Sequence, residues 1–284
     1  MLRNTQELEN FSIGATDGHI GHVKDFYFDD QAWVIRYFVV DTGTWLSSRK
    51  VLVSPVAVGN PNWVEKVLPV MITKQQVKDS PDIDTDKPVS RQQESDFLGY
   101  YGYPNYWGGP GLWEGGIYPN MPPQSHKEFV STRRDTIDSA HAETGALDIR
   151  PGNPHLRSTN AMIGYHIHAV DGDIGHVTAL LVDEMTWAIR YLVVDSSNWW
   201  LGHRVLLMPS SIKAIDWSAS AVTVDMTRQA LRDAPPYDGG TVMDRVSEIR
   251  LHEHHNTPGY WVSEKEHEAA RSRKLSPPSS LPRV

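Results

Sequence analysis

The chain has 284 residues, no cysteine and a formal net charge of −8. The lack of cysteine excludes disulfides and thiolate chemistry, and an acidic chain is a poor general nucleic-acid binder because phosphate contact needs a basic surface. No apolar run approaches the roughly 20 residues that cross a bilayer, and the N-terminus shows no secretory signal. We therefore expect a cytoplasmic protein without a transmembrane segment, for which peripheral membrane contact stays open.

An internal repeat dominates the sequence. Residues 17–23 read Asp-Gly-His-Ile-Gly-His-Val, and residues 171–177 read Asp-Gly-Asp-Ile-Gly-His-Val. A Trp-x-Ile-Arg-Tyr-x-Val-Val-Asp segment follows in each copy, at residues 33–41 and 187–195. Ungapped alignment at an offset of 154 residues gives 26 identities over 69 pairs. Such a repeat predicts two superposable units related by a pseudo-two-fold axis.

Short strands and turns are predicted in chain order within each copy. Asp17-Gly18 is a typical two-residue hairpin turn, because Gly accepts a positive φ and Asp tolerates one. Residues 34–40 are almost entirely apolar, as in a strand closed inside a small barrel. Thr73 and Gln76 have the spacing of a capping box that begins a short helix. The second copy repeats this plan.

An aromatic extension follows the strands in both copies. Ser90 and Asp244 occupy the same position at the 154-residue offset, and both are good N-caps for a second helix. A Pro-x-Tyr-Trp sequence then closes each extension, and an aromatic pair kept in both copies predicts side chains buried against a barrel of the same or the other copy. The candidate partner-binding residues of the extensions are Tyr106, Trp107, Trp113, Tyr260 and Trp261.

Composition divides the chain into six segments. Residues 122–160 are polar and aperiodic, which is typical of a flexible, disordered linker. The predicted segments are a first barrel (8–81), a helix with a Gly/Pro/aromatic extension (82–121), this linker (122–160), a second barrel (161–235), a second extension (236–261) and a charged, Ser/Pro-rich tail (262–284).

Several residues kept in both copies are expected to be structural. These are Asp17, Gly18, Gly21, Arg36 and Asp41 in the first copy and Asp171, Gly172, Gly175, Arg190 and Asp195 in the second. Arg36 and Asp41 have opposite parity on one strand, so their side chains point to opposite faces. Each is therefore expected to satisfy loop backbone or a neighbouring strand rather than the other. For the recurring tryptophans, such as Trp33 and Trp187, core or barrel-rim packing is favoured over ligand stacking.

The sequence contains no familiar catalytic constellation: Gly-x-Ser-x-Gly, a phosphate-cradling Gly loop and His-Glu-x-x-His are all missing. The weak metal candidates are His252, His254 and His255, whose spacing suits Zn or Ni if further ligands converge. The first copy has Leu and Tyr at the equivalent positions, which disfavours a metal site. We expect no enzymatic turnover, no metal and no cofactor.

These motifs resemble those of tandem PRC-barrel proteins. The resemblance rests on Asp-Gly-x-Ile-Gly-x-Val, Ile-Arg-Tyr-(Phe/Leu)-Val-Val-Asp, Val-Leu-(Val/Leu)-x-Pro and a Thr-(Lys/Arg)-Gln helix before Pro, over roughly residues 8–81 and 162–235. It implies a mainly β fold with two small PRC-type barrels in tandem, each followed by short helices and an aromatic extension. Barrels of this family occur in the cytoplasmic part of the photosynthetic reaction-centre H subunit and in a ribosome-maturation factor.

The resemblance implies an adaptor rather than an enzyme. We therefore predict a non-enzymatic scaffold that uses its paired barrels for protein–protein interaction, with an unidentified protein partner and with homo-oligomerisation left open. One alternative is an accessory of a membrane electron-transfer complex, like the reaction-centre H subunit, although the membrane helix of that subunit has no counterpart here. A ribosome or RNA-processing factor is the other alternative, and the acidic charge counts against it.

Overall fold

Two sheets of equivalent strand order make up the fold. The computed structural model describes residues 1–84, 88–107, 112–113, 116–119, 155–196, 203–239 and 243–266. We call residues 1–130 repeat 1, and the residues that correspond to them at the 154-residue offset, 155–284, repeat 2.

Repeat 1 contains six short strands and three helices. Its strands are β1 (Leu2–Asn4), β2 (Ser12–Ala15), β3 (Gly18–Asp29), β4 (Val34–Asp41), β5 (Lys50–Val53) and β6 (Val67–Pro69). Its helices are α1 (Thr5–Leu8), α2 (Lys74–Asp79) and α3 (Arg91–Tyr101). Thr73 and Ser90 begin α2 and α3 as N-caps of complete capping boxes, which confirms both predicted helix starts.

Repeat 2 follows the same order. Its strands are β7 (Leu156–Ser158), β8 (His166–Ala169), β9 (Gly172–Asp183), β10 (Ile189–Asp195), β11 (Arg204–Leu207), β12 (Ile212–Asp216) and β13 (Ala221–Val224). Its helices are α4 (Thr159–Met162), α5 (Arg228–Arg232) and α6 (Arg245–His254), and residues 260–266 are also helical. Asp244 caps α6 by accepting from the Ser247 N–H, as the sequence predicts.

The strand order is β5-β4-β3-β2-β6 in repeat 1 and β11-β10-β9-β8-β13-β12 in repeat 2. Isolated bridges from Val58 and Asn62 take the place of β12 in repeat 1. The prediction of two small β units is confirmed, but that of closed barrels is wrong, since neither path returns to its first strand within the described residues. A 3-10 turn begins at Pro55 in one repeat and at Pro209 in the other. Proline has no N–H to continue a ladder, so the sheet opens there.

The first strand of each repeat pairs with the other repeat. Strand β1 lies antiparallel to β9, with Arg3 opposite Val182, and β7 lies antiparallel to β3, with Arg157 opposite Phe28. These two pairings are identical at the 154-residue offset, so the exchange is reciprocal and follows a pseudo-two-fold axis. We call it the strand exchange. It completes each sheet with three residues of the partner repeat.

Matched charge pairs hold the exchanged strands in place. The Arg3 Nε donates to the Glu184 carboxylate at 2.8 Å, and the guanidinium lies 4.2 Å from the Trp63 ring centroid. Arg157 repeats the arrangement, 2.9 Å from the Asp30 carboxylate and 4.2 Å from a tryptophan ring, that of Trp217. Each arginine thus joins an acidic side chain of one repeat to an aromatic ring of the other.

The two sheets also meet where β4 and β10 begin. The Ile35 N–H donates to the Trp187 carbonyl at 2.8 Å, and the Ile189 N–H donates to the Trp33 carbonyl at 2.7 Å. One buried hydrophobic cluster contains residues of both repeats. Among the recurring tryptophans, Trp187 is 2% exposed and Trp33 is partly buried, which places both in the core, as favoured from the sequence.

The linker prediction needs a correction at its end. Residues 155–160 were predicted to be part of the flexible linker, but residues 156–158 form β7 and residues 159–162 form α4. The strand exchange explains the difference, because β7 is held by backbone hydrogen bonds to β3. The remainder of the predicted linker, residues 122–154, and most of the predicted tail, residues 267–284, lie outside the described part of the chain.

The repeated Asp-Gly motif links the first hairpin to the first capped helix. The Asp17 side chain accepts from the Lys74 N–H at 2.8 Å, and Asp171 accepts from the Arg228 N–H at 2.7 Å. Gly18 and Gly172 both have φ of +138°, a value that favours glycine at the turn. The Asp of the motif therefore stabilises the start of α2 or α5 from a hairpin 57 residues away.

Candidate functional site

A buried arginine lies where the extension of repeat 1 packs on β4. Arg36 is 2% exposed, and its guanidinium lies 4.0 Å from the ring centroid of Tyr106 and 4.7 Å from that of Trp113. It donates to the Leu112 carbonyl, and the Asp29 carboxylate lies 3.8 Å away. As predicted, Arg36 satisfies loop backbone. The two rings and the carboxylate favour its charge in a site that burial makes unfavourable for it.

A buried carboxylate completes the cluster. Glu94 of α3 is 1% exposed and accepts hydrogen bonds from Tyr106, Tyr37 and Arg91. Burial raises the pKa of Glu94 to about 7, although the Arg91 charge and the Tyr106 hydrogen bond act in the opposite direction. The Glu94 side chain therefore titrates near neutral pH inside the fold.

This raised pKa predicts a stability that falls as pH rises. The unfolded chain loses the Glu94 proton near the ordinary value of 4.5 and the folded chain near 7, so the folded state binds more protons in between. By linkage, stability present below pH 4.5 is lost as pH rises through 7, by about 3 kcal/mol in all. We expect Glu94→Gln to remove this pH-dependent part from urea-unfolding free energies measured between about pH 5 and about pH 8.

Asp96 provides the matched control on the same helix, because it is exposed. Asp96→Asn should keep the wild-type slope of unfolding free energy against pH. An unchanged slope in Glu94→Gln would show that the Glu94 pKa is not raised in the folded protein.

Repeat 2 contains a similar cluster in which the arginine has other partners. The Arg190 guanidinium lies 3.8 Å from the Tyr260 ring centroid, and it donates to Thr186 at 3.1 Å and to the Glu264 carboxylate. Glu248 takes the place of Glu94, accepting from Tyr260 at 2.8 Å. Within the described residues no second aromatic ring lies over the guanidinium.

Two of the five candidate partner-binding residues are buried, and the other three are half-buried. Tyr106 and Trp113 are 5% exposed and belong to the core, whereas Trp107, Tyr260 and Trp261 are half-buried. Each Tyr packs on its own repeat, through Arg36 or Arg190, so packing within the same copy, one of the two arrangements that the sequence leaves open, occurs at these residues.

Trp113 does cross between the repeats. Its indole N–H donates to the Thr186 carbonyl of repeat 2 at 3.0 Å. The aromatic content of the extension predicts buried aromatic side chains. It does not predict the contact between Trp113 and Thr186, since residue 113 has no Phe, Tyr or Trp as its counterpart in repeat 2. A reciprocal pair of backbone hydrogen bonds with Gly116, each 2.8 Å, fixes the turn that presents the indole.

A groove of about 250 Å³ opens between the two repeats beside Arg190. Repeat 1 contributes Ala32, Trp33 and Leu112, and repeat 2 contributes the remaining walls. Those repeat 2 residues are Ala188, Ile189, Arg190, Met208, Pro209, Ser210, His252, Pro258 and Tyr260. We call this cavity the inter-repeat groove. Its lining is mostly apolar, with one buried guanidinium.

Two of the three candidate metal histidines bond to different partners. His252 bonds to the Tyr191 hydroxyl at 3.0 Å, and His254 bonds to the Ala230 carbonyl at 3.0 Å. Burial lowers the pKa of His255 to about 4, with the neighbouring His254 acting in the same direction. No group of three or more metal-ligating side chains converges in the described ranges. The His254 and His255 rings lie 4.8 Å apart without a third ligand beside them in those ranges.

Comparison with known proteins places one part of the chain in a family. A relative in Deinococcus radiodurans, described as an uncharacterized protein, is 38% identical over 81 residues, which are 28% of this chain and 29% of that protein. No helix in the described segments is long and apolar enough to cross a membrane. The family model of the PRC-barrel domain matches residues 6–77. The chain thus carries a PRC-barrel domain, and this domain occupies the strands β2 to β6 and helix α2 of repeat 1.

Proposed function

We propose that the chain is a non-enzymatic adaptor that binds a protein partner in the inter-repeat groove. A PRC-barrel domain supports an interaction or accessory role in general, and the resemblance of repeat 2 extends the same fold to a second unit. The observation that carries the proposal is the composite lining of the groove, because neither repeat forms it alone.

Backbone hydrogen bonds across the junction of the repeats also support a docking role. Trp33 and Ile189, which line the groove from opposite repeats, are joined by the hydrogen bond from the Ile189 N–H to the Trp33 carbonyl. A pre-formed site costs less ordering free energy on binding than one that must be assembled. The apolar lining with a buried guanidinium fits the composition of interface cores, in which aromatic side chains and arginine are enriched.

A groove-filling variant tests the proposal. Ser210 lies on the rim and is exposed, so Ser210→Trp should fill the groove without removing a buried group. We expect wild-type protein to capture a stoichiometric partner from native lysate, quantified by mass spectrometry, and Ser210→Trp to reduce that partner at least about tenfold.

Val64→Trp is the matched control, since Val64 is 93% exposed and lies outside the groove. It adds the same side chain to the surface and should capture the partner as wild type does. Equal capture by all three proteins would place the partner elsewhere and contradict the proposal, as would substrate turnover that Ser210→Trp leaves intact.

A further inference from the structure

The inter-repeat groove beside Arg190 corresponds, by the pseudo-two-fold symmetry, to the surroundings of Trp113 beside Arg36. At the 154-residue offset, Arg190 and Ala32 of the groove correspond to Arg36 and Thr186. Trp113 contacts both of the latter: its ring lies 4.7 Å from the Arg36 guanidinium, and its indole N–H donates to the Thr186 carbonyl at 3.0 Å. The pseudo-symmetry therefore points to an indole as the side chain that suits this space.

We propose that the inter-repeat groove binds a tryptophan side chain presented by the partner protein. The inference rests on the proposed adaptor function and names the group that is recognised. In the bound state the indole ring lies beside the Arg190 guanidinium and its N–H donates to the Ala32 carbonyl. These contacts repeat those of Trp113, with the roles of the two repeats interchanged.

The size and chemistry of the groove agree with one aromatic side chain. Its volume of about 250 Å³ is below the roughly 300–1,000 Å³ of small-molecule pockets, so it suits a single large side chain better than a whole ligand. Arg190 is 9% exposed, and its guanidinium already lies on the Tyr260 ring and donates to the Glu264 carboxylate, so an indole would add a second ring to a paired charge. Tryptophan is the best partner for a guanidinium in a cation–π contact, which favours an indole over a leucine of similar hydrophobicity.

The chain does not supply this indole from its own tail. Residues 262–284 contain no Phe, Tyr or Trp, and the residue that corresponds to Trp113 is His267. Trp113 itself is 5% exposed and engaged in repeat 1. We therefore assign the tryptophan to another molecule rather than to the tail or to Trp113.

The test uses the full chain and a short probe. The capped tripeptide acetyl-Gly-Trp-Gly-amide is titrated to about 10 mM, in the range of weak side-chain binding, and followed by amide NMR shifts. We expect saturable shifts confined to residues of the groove, such as Ala32, Ile189 and Arg190. The Leu tripeptide should bind at least about tenfold more weakly, Ser210→Trp should abolish the shifts, and Val64→Trp should keep them.

Four outcomes would overturn the inference. Equal binding of the Leu and Trp tripeptides, or no saturable shifts, would remove tryptophan as the recognised group. Tripeptide binding at least about tenfold tighter in His267→Ala would show that the tail already occupies the groove. Concentration-dependent dimerisation that Ser210→Trp abolishes would assign the groove to a second copy. The adaptor proposal is judged separately, by whether partner capture depends on Ser210.

Discussion

Gly21→Ala and Gly175→Ala should each lower the free energy of unfolding by at least about 3 kcal/mol, because the added methyl group has no room. A Cβ on Gly21 would lie 2.0 Å from the Asp41 carbonyl oxygen, and one on Gly175 would lie 1.8 Å from the Asp195 carbonyl oxygen. Both obstacles are backbone atoms of the neighbouring strand, so relief requires β3 and β4, or β9 and β10, to separate. Urea unfolding followed by circular dichroism measures the loss.

Gly14→Ala is the matched control on β2 of repeat 1. Its Cβ would meet only a Val67 methyl group, at the ordinary contact distance of 3.5 Å. We expect a change within about 1 kcal/mol. Similar losses for Gly14→Ala and Gly21→Ala would show that the close strand approach is not what requires glycine at position 21.

Trp187→Ala should lower the unfolding free energy of the whole chain by about 3–5 kcal/mol. Trp187 is 2% exposed, and its ring centroid lies 4.7 Å from that of Phe38 in repeat 1. The cavity left by the substitution therefore opens at the junction of the repeats. Calorimetry should show one transition for the described fold in both proteins, with the melting temperature of the variant lower by about 10 °C.

Trp33→Ala tests the same position in repeat 1. Trp33 is only partly buried, and its ring stacks on Phe28 of its own repeat at 5.3 Å. The loss of unfolding free energy should therefore be smaller than for Trp187→Ala. Two separate transitions in the wild-type chain would contradict the coupling of the repeats, and so would equal losses in the two variants.

Local features of the fold could be predicted from the sequence. The hairpin at Asp17-Gly18, the capping box at Thr73 and the N-cap at Ser90 depend on neighbouring residues, so the chemistry of those residues is enough to locate them. The duplication likewise predicts the common strand order of the two repeats, since similar sequences favour the same fold.

The strand exchange could not be predicted in the same way. Strands β1 and β7 have three residues each, Leu-Arg-Asn and Leu-Arg-Ser, too few to show a periodicity. Because the two strands have similar sequences, each could pair with either sheet. Which sheet a strand joins depends on how far, and in which direction, the chain between strand and sheet runs. The same holds for the inter-repeat groove, because its lining comes from parts of both repeats that lie far apart in the sequence.

The strand exchange also bears on how the chain folds while the ribosome is making it. The last paired strand of repeat 1 ends at Pro69, but the segment that completes its sheet starts at Leu156, 87 residues later. At roughly 5–20 residues per second, the edge of β3 waits several seconds for that segment. Meanwhile residues 2–4 are already synthesised, have nearly the same sequence and must wait longer still for β9. Pairing of β1 with β9 thus follows the synthesis of both sheets and joins the two repeats into one folded unit.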